Sequence, residues 1–382
     1  MRRNCLVVRT RELVLAVVLG GAALSSAEGQ RWVDSRYPYV TSGANDFPML
    51  AGKWQWTQPV DDYLSPLPYL GNVSLDAGIS FNSSYFMTAQ LRLPRFREGW
   101  RLAATASMVR EARLGFFGIG NNSTFDEDLV SDDQPFFYRV RRKRVLVNGE
   151  ITRRISGPFH ASVALGYQRS LLSDLPGPSV FRAQFPSEVK DDDFTGRISL
   201  ILDTRDSEFN TTRGVQAEAG ISTGTGGTGY RRVYGIVRGF VSPREGTVLA
   251  ARIGGAAMTD GPPLHARFEL PIWEAPMIIF GGDDTHRAFD EGRFIGEHVL
   301  FSNVEIRHNI LDLATLGSIS AVAFFDAGRV FEQENFRITT DDLKLGGGGG
   351  IAIRLLRSTM FTFNMAKGDE GWNFTMNSGW MF

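Results

Sequence analysis

The sequence has a single cysteine, Cys5, among 382 residues, and no excess of either charge, with 41 lysines and arginines against 42 aspartates and glutamates. This balance excludes the strongly basic surface typical of a nucleic-acid-binding protein. Past residue 24 no apolar stretch approaches the roughly 18 to 20 residues of a membrane-spanning helix. The five histidines lack zinc-ligand spacing, and no Gly-x-Ser-x-Gly elbow is present.

The N-terminus carries an export signal. Four arginines at positions 2, 3, 9 and 11 precede an apolar run over 13–24 and then Ser25, Ser26 and Ala27. This pattern predicts a secretory signal peptide over residues 1–27; the alternative, a membrane anchor, requires a longer run. Cleavage removes Cys5, so the mature chain, 28–382, has no disulfide framework. An exported chain without a helix anchor is a soluble protein or an outer-membrane barrel.

Two further segments have compositions that also occur in ligand-binding sites. The run Gly346 to Gly350 lacks the Lys-Ser/Thr and the helix that follow a phosphate-binding loop, and its phase with Ile351 and Ile353 predicts glycines inside a strand, where the wall bends or meets a loop. The aspartates at 191–193 fit a solvated loop edge better than a calcium site. We therefore expect no catalytic residue, no cofactor and no metal.

Strict alternation of apolar and polar residues distinguishes the remaining fold classes. Val73, Leu75, Ala77, Ile79 and Phe81 alternate with polar or small residues, and similar segments of about ten residues recur along the chain. Strands of this length are typical of a transmembrane barrel. The alternative, a soluble β-sandwich or propeller, has strands of about five or six residues.

The count of alternating segments is even. Fourteen candidates follow residue 72, and two weaker ones precede it; the sixteen lie near 35–42, 47–58, 72–82, 84–94, 99–110, 136–154, 159–171, 192–203, 213–224, 229–241, 247–259, 297–309, 318–331, 342–355, 358–367 and 372–382. Even numbers are required of single-chain bacterial barrels. The 136–154 segment breaks phase near Arg139 to Val145, which predicts a bulge, and its basic residues line either the lumen or a solvated rim.

Loop lengths and the last strand support this architecture. With both termini in the periplasm, the turns at 156–158, 242–246 and 357–358 are short and periplasmic, whereas the loops 111–135, 172–191, 260–296 and 332–341 are external and longer. Trp372, Phe374, Met376, Trp380 and Phe382 share one predicted face. Trp380 and the final Phe382 resemble the assembly signal of outer-membrane barrels; a merely hydrophobic C-terminus is the alternative.

Several motifs together resemble the BamA superfamily, also called the bacterial surface antigen family. They are GGDDTHRAF at 281–289, SNVEIR at 302–307, FFDAGRVF at 324–331, DTRDSEFNTTRG at 203–214 and the weaker FFGIGN at 116–121. The resemblance implies an all-β, 16-stranded antiparallel transmembrane β-barrel whose long loop folds into the lumen. It implies that Arg287 at the loop tip meets Glu305 and Asp326 on the inner wall.

The same resemblance assigns supporting positions. Gly281, Gly282 and Phe289 belong to the loop motif, and Phe324 and Gly328 to the wall motif; alternation independently places Gly328 on the face of Asp326, where its missing side chain leaves room for the loop. The sequence departs from the family at His286 and Ala288, where a small aliphatic residue and a glycine are usual. His286 is either a pH-responsive contact or a plain polar residue.

The resemblance also carries the expected function. We expect a protein of the bacterial outer membrane, not an enzyme, that assists outer-membrane assembly or the transport of protein or lipid; the alternative is a passive pore or structural barrel. The periplasmic POTRA domains of the family's assembly members are absent from the sequence. Expected partners are outer-membrane lipid, the barrel-assembly machinery that inserts the chain, and an unidentified periplasmic partner, but no nucleic acid.

Overall fold

The computed structural model describes residues 32–43, 45–60, 65–274, 276–312, 317–332, 339–355 and 359–382. The predicted signal peptide lies outside these residues. Among the described residues no helix is long and apolar enough to span a membrane. Helical structure there is limited to the short α1, Val180–Gln184, and two single-turn 3-10 helices, Glu127–Leu129 and Leu264–Arg267.

Sixteen strands form one antiparallel sheet in chain order, in which β11 pairs with β14 because the intervening β12 and β13 form a separate hairpin. They are β1 Val33–Gly43, β2 Asp46–Gln58, β3 Gly71–Ser80, β4 Tyr85–Arg97, β5 Trp100–Gly115, β6 Arg139–Ser156, β7 Phe159–Ser173, β8 Val189–Asp203, β9 Gly214–Gly224, β10 Tyr230–Arg244, β11 Thr247–Asp260, β14 His298–Asp312, β15 Gly317–Phe331, β16 Lys344–Leu355, β17 Thr359–Gly368 and β18 Gly371–Asn377. The predictions of an all-β class and of sixteen antiparallel strands are confirmed.

The two faces of the sheet have opposite chemistry. On β8 the apolar side chains of Ile198 and Leu200 are 55% and 67% exposed, whereas Arg197 and Ser199, which alternate with them, are buried. A water-soluble sheet buries its apolar face, so this inverted pattern fits strands whose apolar face meets lipid. The polar face is covered instead by the chain's own long loop.

That loop, residues 261–297, holds a second, two-stranded sheet that the sequence did not predict. β12, Glu269–Pro271, and β13, Pro276–Ile278, form a short hairpin. The loop contacts strands far apart in the sheet, since Glu274 forms an ion pair with Arg92 of β4 and Asn373 of β18 donates to the carbonyl of Arg287. The loop therefore contacts strands near both edges of the sixteen-stranded sheet.

One local prediction was wrong in its placement. The phase break expected in the 136–154 segment occurs in the partner strand, because the β5–β6 register shifts between Glu111 and Leu114. Arg142 on β6 stays in phase, is buried, and donates to Glu111 at 2.8 Å, whereas Lys143 beside it is exposed. An extra residue in one strand re-aims its neighbours, and here it brings the Glu111 carboxylate to Arg142.

Candidate functional site

Arg287 of the long loop lies against β14 and β15 on the polar face and is 1% exposed. Its Nε and Nη2 donate to the two carboxylate oxygens of Asp326 at 2.9 and 2.8 Å, and its Nη1 donates to Glu305 at 2.8 Å. The Arg287 backbone N–H also donates to Asp326, at 3.0 Å. A planar guanidinium with fixed donors can hold two carboxylates in this way, which an ammonium cannot.

Two adjacent strands place the carboxylates side by side. Glu305 is on β14 and Asp326 on β15, where Asn303 pairs with Asp326 across the ladder. Asn303 donates to Asp326 and to the carbonyl of Thr285, both at 2.8 Å. The wall therefore binds the loop backbone as well as the Arg287 side chain.

The charges of this cluster are balanced. Arg307 donates to Glu305 from the same strand, so two guanidinium groups face two carboxylates. Burial lowers the pKa of Arg287, but the hydrogen-bonded Asp326 carboxylate and Glu305 outweigh this effect and raise the pKa above its usual range. The ring of Phe324 lies 3.5 Å from the guanidinium carbon and covers it from one side. Arg287 is thus held in its charged form.

The two glycines of the loop motif make the tight turn that presents Arg287. Gly281 and Gly282 have φ of +125° and +74°, a region that strains other residues. A side chain at Gly281 would also meet the carbonyl oxygen of Asp290 at 2.1 Å. Phe289 packs edge-on against His286 and Phe294, which closes the apolar side of the turn.

His286 and Ala288, the two residues at which the sequence departs from the family, fit this turn without backbone strain. Among the described residues, positive φ at non-glycine positions is limited to Asn45, Ser83, Asp260, Glu274 and Asp342, so Ala288 keeps an ordinary backbone. His286 is fully buried, its Nε2 lies 3.1 Å from the carbonyl oxygen of Lys344, and burial lowers its pKa. A neutral imidazole that donates to this carbonyl fits the site, which argues against a response to mild acid.

Glycines in the wall make room for the loop. A Cβ at Gly328 would lie 2.6 Å from the ring of Phe280, and a Cβ at Gly346 would lie 2.3 Å from the Cβ of Ala288. The structure thus places the two predicted glycine positions, one in β15 and one in the glycine run of β16, directly against the loop. Both belong to the face that carries Asp326.

The C-terminal residues depart from the predicted strand. β18 ends at Asn377, Gly379 has φ of +125°, and the chain then turns to the polar face. Trp380 donates to Asn210 at 2.8 Å and stacks under Arg307, and the guanidinium of Arg252 lies over Phe382. The prediction that Trp380 and Phe382 share the exposed face of Trp372 was wrong, because buried guanidinium groups attract the two rings inward. Their role as an assembly signal stays a prediction.

A second arginine contact of the loop was missed from the sequence. Arg293 is buried, donates to Glu370 in the β17–β18 turn at 2.6 Å, and donates to the carbonyl of Ser123 at 2.7 Å. The family element at 116–121 lies here too, since the N–H of Gly120 donates to Ile295 at 2.8 Å. A lone arginine in a polar loop has no spacing signal that could have revealed this contact.

Asp193 does not lie at a solvated edge, which corrects the expectation for residues 191–193. It is fully buried at the start of β8, accepts from Tyr230 at 2.9 Å, and lies 3.1 Å from Nε2 of His265. Within the described part of the chain no three histidine, cysteine or acidic side chains could hold a metal ion. The absence of a catalytic centre, cofactor and metal stays a prediction.

The fold and the chemistry of its two faces define a class of membrane protein. Sixteen long antiparallel strands with an apolar exposed face and a polar opposite face are features of an outer-membrane β-barrel protein. Residues 70–375 match the model of the Omp85 superfamily domain, so the chain belongs to that superfamily. Its members are proteins of the bacterial outer membrane, and this chain is therefore an outer-membrane protein.

Solved structures share the fold at low identity. BamA from Haemophilus ducreyi lacking POTRA domains 1–3 is 13% identical with a TM-score of 0.55, covering 91% of this chain and 70% of that one. CdiB from Escherichia coli is 14% identical with a TM-score of 0.56, covering 92% of this chain and 62% of that one. CdiB from Acinetobacter baumannii is 12% identical with a TM-score of 0.53, covering 92% and 61%. The chain spans less than two thirds of either CdiB, and no curated protein sequence matches it.

Proposed function

We propose that this protein is a closed outer-membrane barrel that assists the assembly or secretion of outer-membrane proteins. Membership of the Omp85 superfamily supports such a role at the level of the family. The single observation that carries the proposal for this chain is the buried contact of Arg287 with Glu305 and Asp326. It occurs in the motifs by which the sequence resembles the family.

Closure of the barrel is part of the proposal. Among the described strands β1 pairs only with β2 and β18 only with β17, so the two are sheet edges. An unpaired edge in lipid leaves backbone N–H and C=O groups without partners, at several kilocalories per mole for each group. Pairing of β1 with β18 removes this cost and encloses the loop in a lumen. A seam of limited length between these strands is the natural place for a substrate strand to enter.

The experiment for the assembly role is depletion of the protein in its native host, followed by quantitative proteomics of the outer membrane. We expect the levels of a subset of other barrels or of one secreted protein to fall, and expression of the intact chain to restore them. Depletion that leaves every other outer-membrane and secreted protein unchanged would contradict the assembly role.

A second candidate is a pore, which one observation favours. A cavity of about 310 Å³ remains beside the loop on the polar face, between the hairpin β12–β13 and strands β4 to β10. Reconstitution in planar bilayers tests this candidate. A membrane that carries the purified protein without any discrete conductance, in the wild type and in Arg287→Ala, would exclude an ion-conducting pore.

A further inference from the structure

A row of small residues crosses the exposed face of the first three strands. Pro38 of β1 pairs with Gly52 of β2, which pairs in turn with Ala77 of β3. Directly paired residues of neighbouring strands point to the same face of a sheet, so these three lie side by side. Leu50 and Ile79, each two residues away on β2 and β3, are exposed. The row therefore belongs to the apolar face that meets lipid.

This row is the floor of a groove. Gly52 contributes no side chain, and a Cβ built there would meet no atom within 4 Å, so the space above it is open. The next row of paired residues has larger side chains and forms one side: Arg36, Trp54 and Leu75. Met87 of β4 also lines the groove, whose volume is about 430 Å³, within the roughly 300 to 1,000 Å³ of small-molecule sites.

Two opposite charges stand at the rim of the groove. Arg36 donates to Asp34 at 2.8 Å, and both side chains are exposed. Trp54 holds this pair in place, because its indole Nε1 donates to Asp34 at 2.6 Å and its ring centre lies 4.2 Å from the guanidinium carbon of Arg36. Lys53 and Asp76 form their own ion pair at 3.3 Å. By alternation these two side chains point to the opposite face, so they do not compete at the rim.

The position of the charged pair along β1 places it at the membrane–water interface. Asp34 and Arg36 are the second and fourth residues of the strand, which begins at Val33. Tryptophan side chains concentrate at this level of a membrane, and Trp54 and Trp56 lie beside the pair. With both termini in the periplasm, as the loop lengths predict, this end of β1 is the periplasmic one. The groove then extends from the periplasmic interface into the apolar region of the bilayer.

The groove and its rim together match the chemistry of a phospholipid. An acyl chain over Gly52 gives the apolar lining the dispersion contacts that it otherwise forfeits. The planar guanidinium of Arg36 suits a phosphate, and the Asp34 carboxylate beside it suits an ammonium group. A zwitterionic headgroup such as phosphoethanolamine carries both charges. An anionic headgroup without an ammonium group would bring a second negative charge against Asp34.

We propose that this groove is a binding site for one zwitterionic phospholipid of the periplasmic leaflet, with an acyl chain over the row of small residues, its phosphate at Arg36 and its ammonium group at Asp34. The site rests on the membrane orientation of the outer-membrane barrel proposed above and adds a lipid ligand to it. Because β1 is one of the two strands that the proposed closure joins, the bound lipid covers the outer face of the barrel next to the seam.

The test is native mass spectrometry of the purified protein in one detergent, titrated with phosphatidylethanolamine or with phosphatidylglycerol of the same acyl chains. The wild type should bind one phosphatidylethanolamine more tightly than phosphatidylglycerol. Gly52→Trp fills the groove and should weaken phosphatidylethanolamine binding about tenfold, the loss expected when about two methylene groups are displaced. Asp34→Asn keeps an acceptor for Trp54 but removes the negative charge, so the two lipids should then bind equally.

The matched control is Gly239→Trp, on the exposed apolar face of β10, where a Cβ likewise meets no atom within 4 Å. Equal weakening by Gly52→Trp and Gly239→Trp would show lipid bound at random over the apolar face and would overturn the proposal, as would equal binding of the two lipids by the wild type. If Gly52→Trp does not fold, Ala77→Trp fills the same groove from β3 and must give the same loss. The measurement needs no protein substrate, so failure of the assembly role leaves it unaffected, and its own failure leaves the assembly role intact.

Discussion

Arg287 is the residue on which the position of the loop tip depends. Four hydrogen bonds from its side chain and backbone reach two buried carboxylates of adjacent strands. Charged pairs of this kind are weak evidence for net stability, because both partners lose their hydration. Removal of one partner is costly, because the other remains buried and unpaired. Arg287 therefore fixes the position of the loop tip, whereas its ion pairs add little net stability to the folded chain.

Arg287→Ala should destabilise the folded protein by about 3 to 5 kcal/mol, since two carboxylates lose their partner. Arg287→Lys should restore only part of this, because an ammonium cannot bond both carboxylates in the same geometry. Urea-induced unfolding in detergent micelles measures both. Arg36→Ala is the control, since Arg36 pairs with Asp34 on an exposed surface, where solvent screens the pair and its loss should have little effect. Equal losses for the two alanine variants would contradict the role of Arg287.

Glu291, in the same loop, makes the free energy of unfolding depend on pH. Burial, with the nearby Glu111 carboxylate as the next cause, raises its pKa to about 7. The folded state then holds a proton that the unfolded state releases above its ordinary pKa near 4.3. The contribution of this proton to the free energy of unfolding is complete when the pH is below the ordinary pKa, and it is lost as the pH rises through about 7.

We therefore expect Glu291→Gln to be more stable than the wild type at pH 8 and no more stable at pH 4. Melting temperatures measured at both pH values in one detergent test this. The matched control is Glu245→Gln, at an exposed carboxylate. The same pH dependence in the wild type and in Glu291→Gln would show that another group is responsible.

Among the elements, β16 is shaped by the loop that it faces. Its run of five glycines weakens a strand, because glycine gains entropy on unfolding and contributes no side chain. At Gly346 the structure supplies the reason, since any Cβ would overlap with Ala288. The wall and the loop are complementary in size at this contact. The loop has an alanine, Ala288, where glycine is usual in the family, and the wall has a glycine, Gly346, opposite it.

Gly346→Ala should displace the loop tip and destabilise the protein by about 1 to 3 kcal/mol, the usual cost of overpacking. Adding Ala288→Gly should recover part of this loss, because it removes the nearest atom that the new Cβ meets, whereas Cε1 of His286 at 2.8 Å remains. Gly52→Ala is the control, since no atom lies within 4 Å of a Cβ built at that position. Thermal unfolding of Gly346→Ala, of Ala288→Gly, of the double variant and of Gly52→Ala measures the coupling. Strictly additive effects of the two substitutions would contradict the contact.

For the whole molecule, the two edge strands, β1 and β18, are the feature with the largest energetic consequence in lipid. β1 and β18 carry unpaired backbone groups, and the exposed apolar face places those edges in lipid. An even number of antiparallel strands lets the first and last pair antiparallel as well. Closure therefore satisfies the hydrogen bonds of both edges at once.

Closure predicts that cysteines placed along β1 and β18 will cross-link in native outer membranes. The only cysteine of the sequence is Cys5, within the predicted signal peptide, so engineered pairs are free of competing thiols in the mature chain. A scan with Tyr37→Cys or Tyr39→Cys against substitutions at 373, 375 and 377 should give at least one efficient disulfide. Pairs between Tyr39→Cys and Val237→Cys, in the distant β10, should give none. Failure of every β1–β18 pair would argue for a sheet that stays open.

The sequence by itself determined the strand number, the exposed apolar face of strands such as β8, and the Arg287 motif. Alternation with period two depends only on which face meets lipid, so local pattern is enough to find Ile198 and Leu200 on the outside. Only the tertiary structure decided where the loop hairpin goes. Trp273, Glu274 and Arg293 bind partners from β4, β6, β9 and the β17–β18 turn. Contacts between residues so distant in the chain depend on the curvature of the sheet, which no local pattern encodes.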